Sequence, residues 1–215
     1  MAAYIRITKG KIRYPEAISV PDKKRLEKYI RKAYSINRRF WGIDQLIRIR
    51  LAYSRKDFDK EWGSHTEKWV GAIGNNFRIF IFAPLVYKRL STNRSSYLQL
   101  LTHEMCHVFY TNFVGTWKPL WLHEGLAMWI AKQGWFHGSV DTRYLIYAAT
   151  EHEKWFRGKT SKLFYRSCFL FTKLLIKTKT KRAVMTFLKQ YKMHANRKAY
   201  DILYKKLMAS LNQRL

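Results

Sequence analysis

An α+β fold is the class this sequence predicts, on three observations. Strand-like alternation is confined to the residues before Pro84, helical periodicity takes over after it, and no internal repeat or low-complexity tract separates the two. An apolar fraction of 47% and an aromatic fraction of 16% are enough for a packed core, which excludes a disordered chain. At 215 residues there is room for one domain or two small subdomains.

The first third is mixed. Tyr4–Thr8 and Lys11–Tyr14 alternate around Lys9-Gly10, the pattern of a short hairpin. Pro21-Asp22 opens a helix over Lys23–Tyr34, with Leu26, Tyr29, Ile30 and Ala33 on one face. Leu46–Tyr53 reads as a strand, as do Trp69–Ile73 and Phe77–Phe82, joined through the turn residues Gly74-Asn75-Asn76. Ser54–Thr66 is polar and reads as a loop.

After Pro84 the apolar spacing becomes helical. Ser95 or Ser96 caps a helix running to about Tyr110, with Tyr97, Leu100, Leu101, Met105 and Val108 apolar. Pro119 fits the first turn of the next helix, which ends near Lys132. Further helices are expected over Thr142–Trp155, Ser161–Lys177, Lys181–Tyr191 and Asn196–Leu211.

Composition also bounds the setting. No apolar run reaches the roughly 18 residues of a membrane span, and the first residues lack a secretory signal, so a cytoplasmic protein is expected. Two cysteines, Cys106 and Cys168, fit reduced thiols rather than a disulfide framework. The net charge of +28 is unevenly placed: from Lys154 to Leu215, 17 Lys and Arg stand against one acid, Asp201. Such a segment suits nucleic acid or an acidic protein as partner, or it is a solvated basic surface with no partner at all.

Against that basic background, only two acids lie between Arg94 and Asp141, and both sit on apolar segments. Glu104 belongs to His103-Glu104-Met105-Cys106-His107, and Glu124 to Trp121-Leu122-His123-Glu124-Gly125-Leu126-Ala127. Residues four apart share a helix face, so His103 and His107 can hold one ion between their imidazoles. Glu104, about 100° around the helix, is placed to reach a water on that ion rather than to ligate it. Imidazole nitrogens suit zinc, and a catalytic zinc takes three protein ligands and leaves one position for water. The third ligand must come from another element, where Glu124 is the candidate.

With those residues in place, the chain resembles the gluzincins, the thermolysin-like and aminopeptidase-like zinc peptidases, and most closely their small peptidase MA-like members. The resemblance spans about Gly71 to Met128, and extends weakly through the aromatic-rich Tyr165–Ile176. It implies an upper α+β subdomain over 1–112, with a small mixed sheet above the active-site helix, and a helical lower subdomain over 113–215. It implies that His103, His107 and Glu124 bind Zn2+ and that Glu104 is the general base of peptide-bond hydrolysis. Tyr165 would assist the oxyanion, and Ala72, Gly74 and Asn75 would lie on the strand along which a peptide or protein substrate binds. No G-x-M-E-N-type amine-binding segment is found, which favours an endopeptidase over an aminopeptidase.

The pattern departs from that family at two positions. A carboxylate that orients a histidine often follows four residues after the glutamate ligand; Met128 stands there, leaving Asp141, Glu151 and Glu153 as substitutes. The other is His123, which as an alternative third ligand resembles the SprT and Spartan-type proteases that cut proteins crosslinked to DNA. Neighbouring residues on a helix point about 100° apart, so His123 and Glu124 should not both ligate. A basic nucleic-acid-binding protein with a vestigial zinc site is the remaining alternative.

Overall fold

The structure is a computed structural model that describes residues 4–15, 18, 20–92, 95–117, 119–134 and 161–193. Its sheet is built by alternation. β1 (Ile5–Thr8) and β2 (Lys11–Arg13) pair antiparallel across Lys9 and Gly10, whose φ of 49° and 76° give the left-handed two-residue turn that matches strand twist. β3 (Ile47–Ala52) runs antiparallel to β1 and parallel to a later strand. That later pair is β4 (Ala72–Asn75) and β5 (Arg78–Phe82), antiparallel to each other. The order is β2-β1-β3-β5-β4, a mixed sheet with β4 at one edge. Register sets Ile5 opposite Ile49, Ile7 opposite Ile47 and Ile49 beside Ile79, so the isoleucines share one face, and all are fully buried.

Helix α1 (Val20–Trp41) is longer at both ends than the predicted Lys23–Tyr34. Its last turns are held by tertiary contacts that periodicity does not reveal. The Asn37 amide donates to Ala33 O and to Thr102 O, and Phe40 and Trp41 are buried.

The segment expected to be a loop, Ser54–Thr66, holds helix α2 (Arg55–Trp62) instead. Ser54 caps it by accepting from the Asp57 N–H, Gly63 closes it in the left-handed conformation, and Phe58 supplies the one fully buried side chain. Phe58 stacks on Phe80 and Phe82 of β5, with ring centroids 5.0 Å and 4.7 Å apart. Two apolar residues in eight, Phe58 and the exposed Trp62, are too little signal for a period, which is why polarity misled the reading. From α2, the Arg55 guanidinium donates to Val70 O at 2.9 Å and to Leu90 O at 2.6 Å, pinning the chain that leads into β4.

The β4–β5 turn also differs from expectation. Gly74 and Asn75 are strand residues, and the chain reverses at Asn76-Phe77, with Asn76 at φ 41°. Asn112, on the second helix after β5, donates to Asn76 O, fixing this turn.

Helix α3 (Pro84–Leu90) follows β5 directly. Helix α4 (Tyr97–Val114) opens with a reciprocal cap: Ser96 Oγ accepts from the Gln99 N–H, and Gln99 Oε1 accepts from the Ser96 N–H. Helix α5 (Leu120–Ile130) begins on Pro119, whose carbonyl accepts from the His123 N–H. Helix α6 (Ser161–Met193) is broken at Thr180, where φ 67° and ψ 155° are not helical and the hydroxyl accepts from the Ala183 N–H. Its two halves correspond to the predicted helices Ser161–Lys177 and Lys181–Tyr191; those over Thr142–Trp155 and Asn196–Leu211 lie outside the described residues.

The chain divides into one compact unit of Met1–Asn112 with Leu126–Trp135, and a second of Phe113–Gly125 with Phe136–Leu215. The first contains the sheet, α1 to α3, α4 as far as Asn112 and the end of α5; the described part of the second is largely α6. Among the described residues no helix is long and apolar enough to cross a membrane.

Candidate metal centre

Helix α4 is apolar nearly all round, as a buried helix must be, yet it keeps Thr102, Glu104 and His107 inside. Polar side chains are retained in such a setting only where partners offset their desolvation. His103 and His107, one turn apart, bring their Nε2 atoms to 3.0 Å, with ring planes 88° apart. His103, half-buried, turns its Nδ1 toward Gln133 Oε1 at 2.8 Å. Gln133, just beyond the end of α5, sends its Nε2 to Ser95 Oγ, also at 2.8 Å.

Glu124 on α5 completes the group. One ligand atom from each of His103, His107 and Glu124 lies within 4.8 Å of the others. Among the described residues, neither His123 nor Cys106 belongs to this group, although both side chains are buried. The set fits a divalent ion. Its two imidazoles and one carboxylate are ligands zinc accepts at about 2.0–2.2 Å each, a span comparable with the separations found. With the His103 proton on Nδ1, its Nε2 lone pair faces His107 Nε2 at 3.0 Å, which is where a cation shared by the two rings would sit.

Glu104 is buried on the same helix, directly beneath the edge strand. A Cβ at Gly74 would lie 2.9 Å from Glu104 Oε2 and from the Glu104 carbonyl oxygen, so only glycine lets β4 come this close. Tyr87, also buried, donates its hydroxyl to Ser95 O at 3.0 Å. Burial pushes the Tyr87 phenol up to about 12; a hydrogen bond with Ser91 opposes this and the Glu104 charge adds to it.

On α5, Gly125 permits a close helix crossing: a Cβ there would run into Thr172 Oγ1 and Cys168 O on α6. Burial, and then the neighbouring Glu124 carboxylate, push the Cys168 thiol well above its ordinary range, so it stays a neutral packing group. Tyr165 lies half-buried in the first half of α6, in edge contact with Phe164. Ala72, Gly74 and Asn75 all lie in β4, opposite Ile81, Ile79 and Arg78.

The residue that sequence reasoning missed is Gln133. Asp141, Glu151 and Glu153, named as substitutes for the carboxylate expected where Met128 stands, fall outside the described residues. The available signal was positional: a polar side chain just past an apolar helix and before Gly134.

A scan against protein-family models finds no match, and searches of the curated proteins and of the solved structures find none either. The fold and the site together define an α+β protein with a His-His-Glu group able to bind a metal ion.

Proposed function

We propose that the chain is a zinc-dependent metallopeptidase of gluzincin type, an endopeptidase acting on peptide or protein substrates. The observation that carries this reading is the convergence of His103, His107 and Glu124, with a fourth group, the buried Glu104 carboxylate, on the same helix under an edge strand. A structural zinc site closes all four positions with ligands and has no use for a general base; a three-ligand site beside a carboxylate suits hydrolysis.

Zinc held there supplies a Lewis acid that polarises a carbonyl and lowers the pKa of water to about 7. Glu104 takes the proton of the attacking water and returns it to the leaving amine nitrogen. β4, the edge strand of the sheet among the described residues, takes the substrate main chain antiparallel along Ala72, Gly74 and Asn75, above Glu104. Tyr165 is the proposed donor to the oxyanion.

The test is metal content with hydrolysis of a peptide library. About one zinc per chain is expected for wild type and His123→Ala, and little for Glu124→Ala. Glu104→Gln should keep the metal and lose hydrolysis. Activity surviving in Glu104→Gln overturns the mechanism, and metal lost with His123→Ala but kept with Glu124→Ala moves the reading to a Spartan-type protease.

A second reading, association with nucleic acid, is favoured by α6. Ser161–Met193 contains nine Lys and Arg and no acid, and Lys173, Lys177, Lys181, Arg182, Lys189 and Lys192 are exposed. Phosphate contacts by this face would make binding fall steeply with salt, by about 0.9 in the log–log slope per neutralised phosphate. Absence of binding to single- or double-stranded DNA at low salt removes it.

A further inference from the structure

Resting on the metal-site reading above, we infer that Gln133 is a positioning residue: its side-chain amide holds His103 in the tautomer that ligates, in place of the carboxylate the family pattern expects at position 128. The amide has one accepting and one donating end. Its Nε2 is 2.8 Å from Ser95 Oγ and its Oε1 is 2.8 Å from His103 Nδ1, so both ends are engaged. Of the two amide orientations, this one puts the His103 proton on Nδ1. The reverse would put it on Nε2, into the 3.0 Å gap facing His107 where the ion belongs.

The backbone prepares Gln133 for this. α5 ends with Lys132 in the left-handed conformation at φ 55°, and the Gln133 N–H donates to Met128 O at 2.9 Å. From α4, Gln99 Nε2 donates to Lys132 O, also at 2.9 Å. Gln133 is buried, and Ser95 is buried beside it. The arrangement thus couples both ends of α5 to one site: Glu124 comes from its first turns, Gln133 from just past its last. Met128, where a carboxylate would otherwise stand, is free to pack in the core.

The substitution of an amide for a carboxylate has an electrostatic consequence. A carboxylate bonded to the outer ring nitrogen of a ligating histidine makes that histidine a stronger electron-pair donor to a metal and adds a negative charge near it. Gln133 would fix the ring without that charge, so an ion at this site would be held less tightly than beside a carboxylate. This makes Gln133→Glu a variant that tightens binding.

Two measurements test this on the full chain: the affinity for Zn2+ alone, by competition with a chelator, and the tautomer of His103 in the metal-free chain, by nitrogen NMR. Gln133→Ala should weaken Zn2+ binding by about 10–100-fold, and the Nδ1–H form of His103 should lose its dominance. Gln133→Glu should bind at least as tightly as wild type. Ser95→Ala, which removes the partner at the other end of the amide, should fall between. Should Gln133→Ala fail to fold, the Ser95→Ala and Gln133→Glu pair carries the test. Wild type binding Zn2+ while Gln133→Ala or Ser95→Ala binds within twofold of it overturns the inference and leaves the metal site standing. Wild type binding no Zn2+ overturns the metal-site reading, and an unchanged His103 tautomer in Gln133→Ala then overturns the positioning role as well.

Discussion

Replacing Gly74 by alanine tests how closely β4 passes over α4. The backbone there is not in the left-handed region, so alanine meets no conformational penalty and would by itself gain about 0.4–1 kcal/mol through the unfolded chain. The new Cβ, however, would sit 2.9 Å from two oxygens of Glu104 and 3.4 Å from its Cα. One of those oxygens and the Cα belong to the backbone of a buried helix and cannot rotate away. Strand and helix must part by a few tenths of an ångström, an overpacking that costs about 1–3 kcal/mol. The net expectation is roughly 1–2 kcal/mol of destabilisation. For a chain of this size that is a fall in Tm of about 2–8 °C, read by circular dichroism. On the metallopeptidase reading, Gly74→Ala also moves the Glu104 carboxylate, so hydrolysis should drop more than tenfold with metal content unchanged. An equal or higher Tm would refute the close approach, and full activity would refute the role of that carboxylate.

Other perturbations follow from the same packing. Gly125→Ala drives a methyl into Thr172 and the Cys168 carbonyl, and should cost at least about 3 kcal/mol and lower metal content; a Tm equal to wild type counts against this crossing of α5 and α6. Phe58→Ala removes a fully buried ring stacked on Phe80 and Phe82 and should destabilise by about 3–5 kcal/mol in urea unfolding, whereas a loss below about 1 kcal/mol would return the segment to a loop. Tyr87 bears on alkaline stability. Its phenol is raised from 10.0 to about 12, so its contribution is fully present below pH 10 and is lost as pH rises through about 12. Tyrosinate absorbance should show a step near pH 12, shared with Tyr14, that is smaller by one tyrosine in Tyr87→Phe; a Tyr87 that titrates near pH 10 would mean that it is not buried.

The legible parts of this protein are those where one residue type can serve only one purpose at one spacing. Lys9-Gly10 between alternating strands announces the first hairpin, and the serine pair Ser95-Ser96 announces the start of α4, where Ser96 is the cap. His103 and His107 four apart declare a shared face, and the two isolated acids of a basic chain, Glu104 and Glu124, stand out against their surroundings. Helix geometry alone joins the histidines, because i and i+4 are neighbours on any helix.

The rest depended on contacts distant in sequence, which local pattern does not encode. α2 forms in a polar segment because Phe58 finds two phenylalanines on β5. α1 extends to Trp41 because Asn37 bonds to α4. Gly74 reads as a turn residue, yet it is a strand residue whose missing side chain makes room for Glu104. The partner of His103 was sought among carboxylates, and it is the amide of Gln133, brought there by the left-handed turn at Lys132. A residue's type and spacing determine what chemistry it can do; which groups it does it with is decided only when the chain is packed, since burial and distance are properties of the folded whole.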